Sequence, residues 1–84
     1  MQPQSNELVY VKTYKHFHIK QTDIAGGITT RYIVMSRRNE ILGWVRWYSP
    51  WNRWCFLPCE GTVWSDNCLT DIVDFILGLA KKGN

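Results

Sequence analysis

Long apolar runs are missing from this chain. No stretch reaches the roughly 18 consecutive apolar residues of a membrane-crossing helix, so a helical span is not expected. Cysteine is scarce as well, at three residues (Cys55, Cys59 and Cys68), an odd number that cannot close a complete disulfide framework. Cys55 and Cys59 form a C-x₃-C pair, but no fourth cysteine and no nearby histidine completes a tetrahedral zinc site. His16 and His18 would have to fold against that pair to supply the missing donors. Half-buried free thiols in a reducing compartment are the plainer reading. No metal and no cofactor are expected.

Catalytic signatures are also lacking. Gly26-Gly27 is followed neither by a helical pattern nor by the Gly-Lys end of a phosphate loop. Cys55 or Cys59 with His16 or His18 would be a nucleophile and base in principle, but no glycine-framed nucleophile turn and no orienting acid accompany them. Asp71 and Asp74 share a helical face where solvent-exposed acids are ordinary. The chain is read as non-enzymatic. The first seven residues are polar, without the apolar core of a secretory signal, so the expected location is the cytoplasm, inside a cell.

Tryptophan, by contrast, is plentiful. Four of the five tryptophans lie between Gly43 and Trp54, together with Tyr48, Arg46 and Arg53. A chain of 84 residues buries only about 60–65% of its unfolded surface, so large rings are an efficient way to fill a small core. Yet this segment carries more aromatic surface than one face of a strand can bury. Charge is uneven too. Residues 1–58 hold eight Lys or Arg against three acids, and residues 59–84 hold two Lys against four acids.

The pattern predicts an α+β fold in a single domain over residues 1–84: a four-stranded antiparallel β-meander packed on one face by a single C-terminal α-helix. Residues 1–6 are a flexible lead-in, 8–58 the sheet and 66–81 the helix. Leu8 to Lys20 reads as one strand, with a break near Lys12-Thr13 as a variant. Its parity sends Val9, Val11, Phe17 and Ile19 inward and Tyr10, Tyr14, His16 and His18 outward. Gln21 to Ile28 is a glycine-rich loop. Thr29 to Arg37 and Glu40 to Tyr48 are the next strands, joined at Arg38-Asn39, where asparagine tolerates a left-handed backbone. On the third strand Gly43, Val45 and Trp47 face the helix, and Leu42, Trp44, Arg46 and Tyr48 face away. Pro50 interrupts the ladder, and Trp54 to Pro58 is the last strand, whose Trp54 and Phe56 meet Trp47. Ser65 or Asp66 caps a helix whose Cys68, Leu69, Ile72, Val73, Phe75, Ile76, Leu79 and Ala80 form a wide apolar stripe. That stripe covers the sheet or pairs with another helix.

Trp44, Arg46, Trp51 and Arg53 have the weakest claims on the core. Trp51 either folds back over the hairpin or presents a flat ring flanked by guanidiniums, and tryptophan with arginine dominates binding hot spots. These four residues are the candidate protein-binding site. Lys12, Lys15, Lys20, Arg31, Arg37 and Arg38, with Arg46 and Arg53, are the candidate nucleic-acid-binding set under a second reading, in which aromatics stack on bases. A third reading is a homodimer through an outer sheet face carrying Tyr10, Tyr14, Tyr32 and Trp44.

From Leu42 onward the residues Leu42-Gly43, Val45, Trp47-Tyr48, Pro50-Trp51, Cys55-Phe56, Pro58, Thr62-Val63-Trp64, Cys68-Leu69, Asp71-Ile72 and Phe75-Ile76 form a pattern. It resembles a group of small accessory proteins of bacteriophages and other mobile elements, over about half the chain. The resemblance implies a phage or prophage protein in a host cell, with a sheet and one C-terminal helix. It brings no catalytic residue or cofactor. Small phage proteins of this kind act by binding and occluding host proteins, defence systems such as CRISPR-Cas among them, and that analogy frames the first functional expectation.

Overall fold

The computed structural model describes residues 9–23 and 30–83. Five strands form one antiparallel sheet in sequence order: β1 (Val9–Thr13), β2 (Phe17–Asp23), β3 (Thr30–Ser36), β4 (Ile41–Tyr48) and β5 (Arg53–Pro58). A single helix, α1 (Asp66–Gly83), follows. The α+β class and the C-terminal helix match expectation, but the sheet has five strands rather than four. The lead-in over residues 1–6 and the turn at Gly26-Gly27 lie outside the described residues, while Gln21 to Asp23 belong to β2 rather than to a loop.

The additional strand arises because Leu8 to Lys20 is a hairpin. The Tyr14 amide donates to the Phe17 carbonyl at 2.8 Å, closing a turn over Tyr14-Lys15-His16. The break thus falls after Thr13, slightly later than the Lys12-Thr13 position read from sequence. The β1–β2 register also shifts between Tyr10 and Lys12, which places a bulge at Val11. A bulge and a turn together overturn simple alternation. Tyr14 therefore packs against the core, with its ring 5.2 Å from that of Phe17, while Val11 is exposed. A second bulge, where Val34 pairs with Gly43 but Met35 with Ile41, leaves Leu42 unpaired, and Leu42 packs against the core instead of facing away with Trp44.

The inner face of the sheet supplies Phe17, Ile19, Val34 and Val45, each essentially sealed from solvent. From α1, Ile72 and Phe75 complete the buried cluster, with Cys68, Ile76 and Leu79 at its margin. Edge-to-face ring pairs join the layers: Phe75 on Tyr32 at 5.2 Å, and Trp64 on Phe56 at 4.8 Å and on Phe17 at 5.9 Å. Trp47 meets Trp54 across the β4–β5 ladder at 5.8 Å, as the parity of that hairpin requires. The crossing from sheet to helix is fastened by a short relay. The Trp64 indole donates to the Thr62 hydroxyl at 2.8 Å, and that hydroxyl donates to the Cys59 carbonyl at 2.7 Å. The Ser65 hydroxyl then accepts the Cys68 amide at 3.1 Å, an N-cap that satisfies one free donor of the first turn.

On its β1 side α1 is held by polar contacts. The Tyr14 hydroxyl donates to Asp74 Oδ2 at 2.8 Å, and Lys12 Nζ lies 3.6 Å from the same oxygen. The hydrogen bond from Tyr14, with the Lys12 charge behind it, holds the Asp74 carboxyl below its ordinary value, and burial together with Asp74 pushes the Tyr14 phenol up. Among the described residues no helix is long and apolar enough to cross a membrane.

Candidate functional site: the outer face of the sheet

With α1 on the inner face, no other element among the described residues covers the opposite face of the sheet. Strand register assigns its side chains. One rung runs Lys20–Ile33–Trp44–Leu57 across β2 to β5. The neighbouring rung holds the pair Thr22–Arg31 on one side and the pair Arg46–Cys55 on the other. The β3–β4 ladder ends where Tyr32 pairs with Val45, and Arg31 and Arg46 are the next residues beyond that end, on the same face as Ile33 and Trp44. Tyr48 and Arg53 pair at the far end.

This face has an apolar floor and a cationic rim. Ile33 is buried although it points away from the helix, lying between Lys20 and Trp44. The Arg31 guanidinium sits 5.6 Å from the centre of the Trp44 ring, a cation–π contact of about 0.5–1 kcal/mol at such a site. β3, β4 and β5 contain no aspartate or glutamate. Like charges set side by side on a sheet destabilise it. Arg31 and Arg46 thus share this face with no carboxylate in β3, β4 or β5, an arrangement that an anionic ligand would relieve.

The β4–β5 turn extends the face. Ser49–Trp51 is a single 3₁₀ turn with Pro50 near its start, closed by the Asn52 amide donating to the Ser49 carbonyl at 3.0 Å. Asn52 takes the left-handed conformation, with φ 55°, which asparagine tolerates better than most residues. The turn stands Trp51 edge-on against Tyr48 at 5.2 Å and leaves it 67% exposed, with Arg53 beside it. Trp51 therefore does not fold over the core.

Trp44, Arg46, Trp51 and Arg53 thus share one surface. Lys20 and Arg31, assigned by sequence to a separate basic set, share it too. The rest of that set is elsewhere: Lys12 is on the helix side, while Lys15, Arg37 and Arg38 sit in the turns at the opposite end of the sheet. There Arg37 Nη1 donates to the Lys15 carbonyl at 2.8 Å. Tyr48, Ile33 and Leu57 were not singled out as site residues. The parity of Tyr48 with Trp44 and Arg46 carried that signal, whereas the other two needed the long-range register. The outward placement of Tyr14 and Tyr32, on which the homodimer reading drew together with Tyr10 and Trp44, is overturned, because both rings face the helix layer, Tyr14 against Phe17 and Tyr32 against Phe75. The Tyr10 side chain lies outside the described residues.

Among the described residues, no three of His, Cys, Asp or Glu stand close enough to share a metal ion. β3 and β4 separate His18 on β2 from Cys55 on β5, a spacing of about 14 Å at the usual strand separation, too far for a nucleophile and its base. No family model, curated protein or solved structure matches this chain.

His18 lies at the margin of this face, where burial, then the charges of Lys20 and Arg37, lower its pKa from 6.5. The unfolded chain therefore takes up a proton on His18 before the folded one does. Stability is fully present above about pH 6.5 and declines as pH falls toward the lowered value. Asp74, also shifted downward, adds a second loss beginning near its unperturbed value of 3.8. Urea denaturation across pH 7.5 to 3 should show stability falling in both windows. His18→Gln should flatten the upper window alone and Tyr14→Phe should weaken the lower one.

Proposed function

We propose that this chain is a non-enzymatic binding module whose outer sheet face docks on an acidic surface of a host protein and occludes it. The observation that carries the reading is Arg31 over the Trp44 ring with Arg46 on the same face, on strands without acids, continued by exposed Trp51 and Arg53. Tryptophan and arginine supply large contact area with directional donors, and they concentrate binding energy. The likeness of the Leu42–Ile76 pattern to phage accessory proteins favours a host target, and a component of a defence system such as CRISPR-Cas is the analogy it suggests.

A second reading, a single-stranded nucleic acid lying across the same face, is favoured by one feature. Trp44 and Trp51 offer stacking surfaces between cations. The two readings separate in one set of measurements. Trp51→Ala with Arg53→Ala should weaken capture of the host protein by roughly 30-fold or more, the cost of losing about 2 kcal/mol of hot-spot energy. Oligonucleotide titrations at 50 and 200 mM salt should meanwhile give negligible binding by the wild-type chain. Steeply salt-dependent oligonucleotide binding would favour the nucleic-acid reading instead. Unchanged capture by the double variant, without oligonucleotide binding, would remove this face from the function.

A further inference from the structure

We infer that α1 carries a second interaction surface, and that its occupant is α1 of another copy of this chain in antiparallel orientation. The helix strip lies apart from the outer sheet face, although Arg53 borders both that face and the groove beside the strip, so the two ideas are tested through different residues.

The helix buries Ile72 and Phe75, yet its apolar stripe is wider than the sheet covers. Leu69, Val73 and Leu77 recur at four-residue spacing on one side of α1, and are 44%, 52% and 62% exposed. Asp74, which faces β1, flanks the strip one turn before Leu77, and the strip's other flank borders β5, the strand that α1 packs most closely along. There Trp47, Trp54, Ile76, Leu77 and Ala80, with Asn52 and Arg53 at the turn end, line a groove of about 420 Å³, and Trp47 is itself 41% exposed. The strip and the groove are continuous through Leu77.

Charge selects the occupant. No charged residue interrupts the strip from Leu69 through Val73 and Leu77 to Ala80, but exposed charges bracket it, with Asp66 at the start of α1 and Lys81 near its end. Their midpoint falls between Val73 and Asp74. A second helix laid antiparallel about a two-fold axis there brings Leu69 against the other copy's Leu77. It also brings Asp66 near the other copy's Lys81, twice over. A parallel pairing would set like charges together at both ends. Antiparallel helix dipoles favour the same choice. The surface is therefore self-complementary, the property an isologous interface requires.

The strip is small. Eighteen residues make a helix about 27 Å long, and a ridge about 10 Å wide offers roughly 270 Å² per copy before Trp47 and the groove are added. That is well under the roughly 800 Å² per partner of a stable complex, so the dimer should be weak, with a dissociation constant on the order of 10–100 μM.

Sedimentation equilibrium of the full chain from about 1 μM to about 1 mM spans that range. The expected result is a monomer–dimer equilibrium, with Val73→Lys weakening it by about tenfold or more while leaving the circular dichroism spectrum unchanged. Asp66→Lys and Lys81→Glu should each weaken the dimer, and the two together should restore it. A chain monomeric at every concentration, or a dimer indifferent to Val73→Lys, overturns the proposal. So does a dimer in which the charge reversals do not compensate, since another face or register would then hold it. A monomer whose strip takes up an unrelated apolar peptide is likewise a refutation.

Discussion

Phe75→Ala is expected to cost about 3–5 kcal/mol, the usual range for emptying a buried phenylalanine site. Phe75 is the ring by which α1 reaches the middle of the sheet. It is buried, set edge-to-face against Tyr32 on β3, and belongs to the same cluster as Ile72, Val34 and Val45. A chain of 84 residues has a total stability on the order of 4–13 kcal/mol, so this one loss is a large part of the whole. The melting temperature should fall by roughly 12–40 °C at the sensitivity typical of domains this size. Leu77→Ala is the matched comparison. It shortens an apolar side chain on the same helix, but Leu77 is largely exposed and the change should stay within about 0.5 kcal/mol at concentrations where the chain is monomeric. Urea denaturation of the two variants decides the matter. Similar costs would mean that α1 does not seal the sheet through Phe75, and that the division between its inner and outer sides is wrong.

That division explains which parts of the molecule were legible from sequence. The helix was legible because its signals are local: Ser65 for the cap, and Ile72, Phe75 and Leu79 at helical spacing. The β4–β5 hairpin was legible because parity alone sets Trp47 against Trp54 and sends Trp44 and Arg46 to the opposite face. The β1–β2 hairpin was not, since Tyr14-Lys15-His16 contains none of the glycine, proline, asparagine or aspartate that usually announces a turn. A turn without its customary residues is invisible until the strands it joins are paired. The bulges at Val11 and Leu42 are hidden in the same way, and each displaces a side chain from the face that alternation assigns. The outer face was therefore half-seen. Its tryptophans and arginines were identified within one hairpin. That Lys20 and Arg31 join them depends on β2 and β3 pairing across a connection whose sequence does not fix the register.

Gly43→Ala should be the most damaging addition of a single methyl group, and Gly78→Ala its opposite. A Cβ at Gly43 would stand 2.8 Å from the Leu57 carbonyl oxygen, 2.8 Å from Phe56 Cε1 and 3.0 Å from Pro58 Cα. Two of these neighbours are backbone atoms of β5, which cannot rotate aside, so the strand itself must move away from β4. Overpacking of this kind costs about 1–3 kcal/mol, and backbone opposition places Gly43 near the upper end. The loss would not stay local, because β5 carries Trp54 and Phe56 on the inner side and Arg53 and Leu57 on the outer. Binding through the outer face should weaken along with stability. At Gly78, in the middle of α1, a Cβ meets nothing within 4 Å, and the same substitution should stabilise the fold by roughly 0.5–1 kcal/mol through helix propensity. Opposite signs for one chemical change, read by urea denaturation, would establish that Gly43 is required by the close approach of β5 rather than by backbone freedom. Equal signs would remove that account of how the last strand is seated.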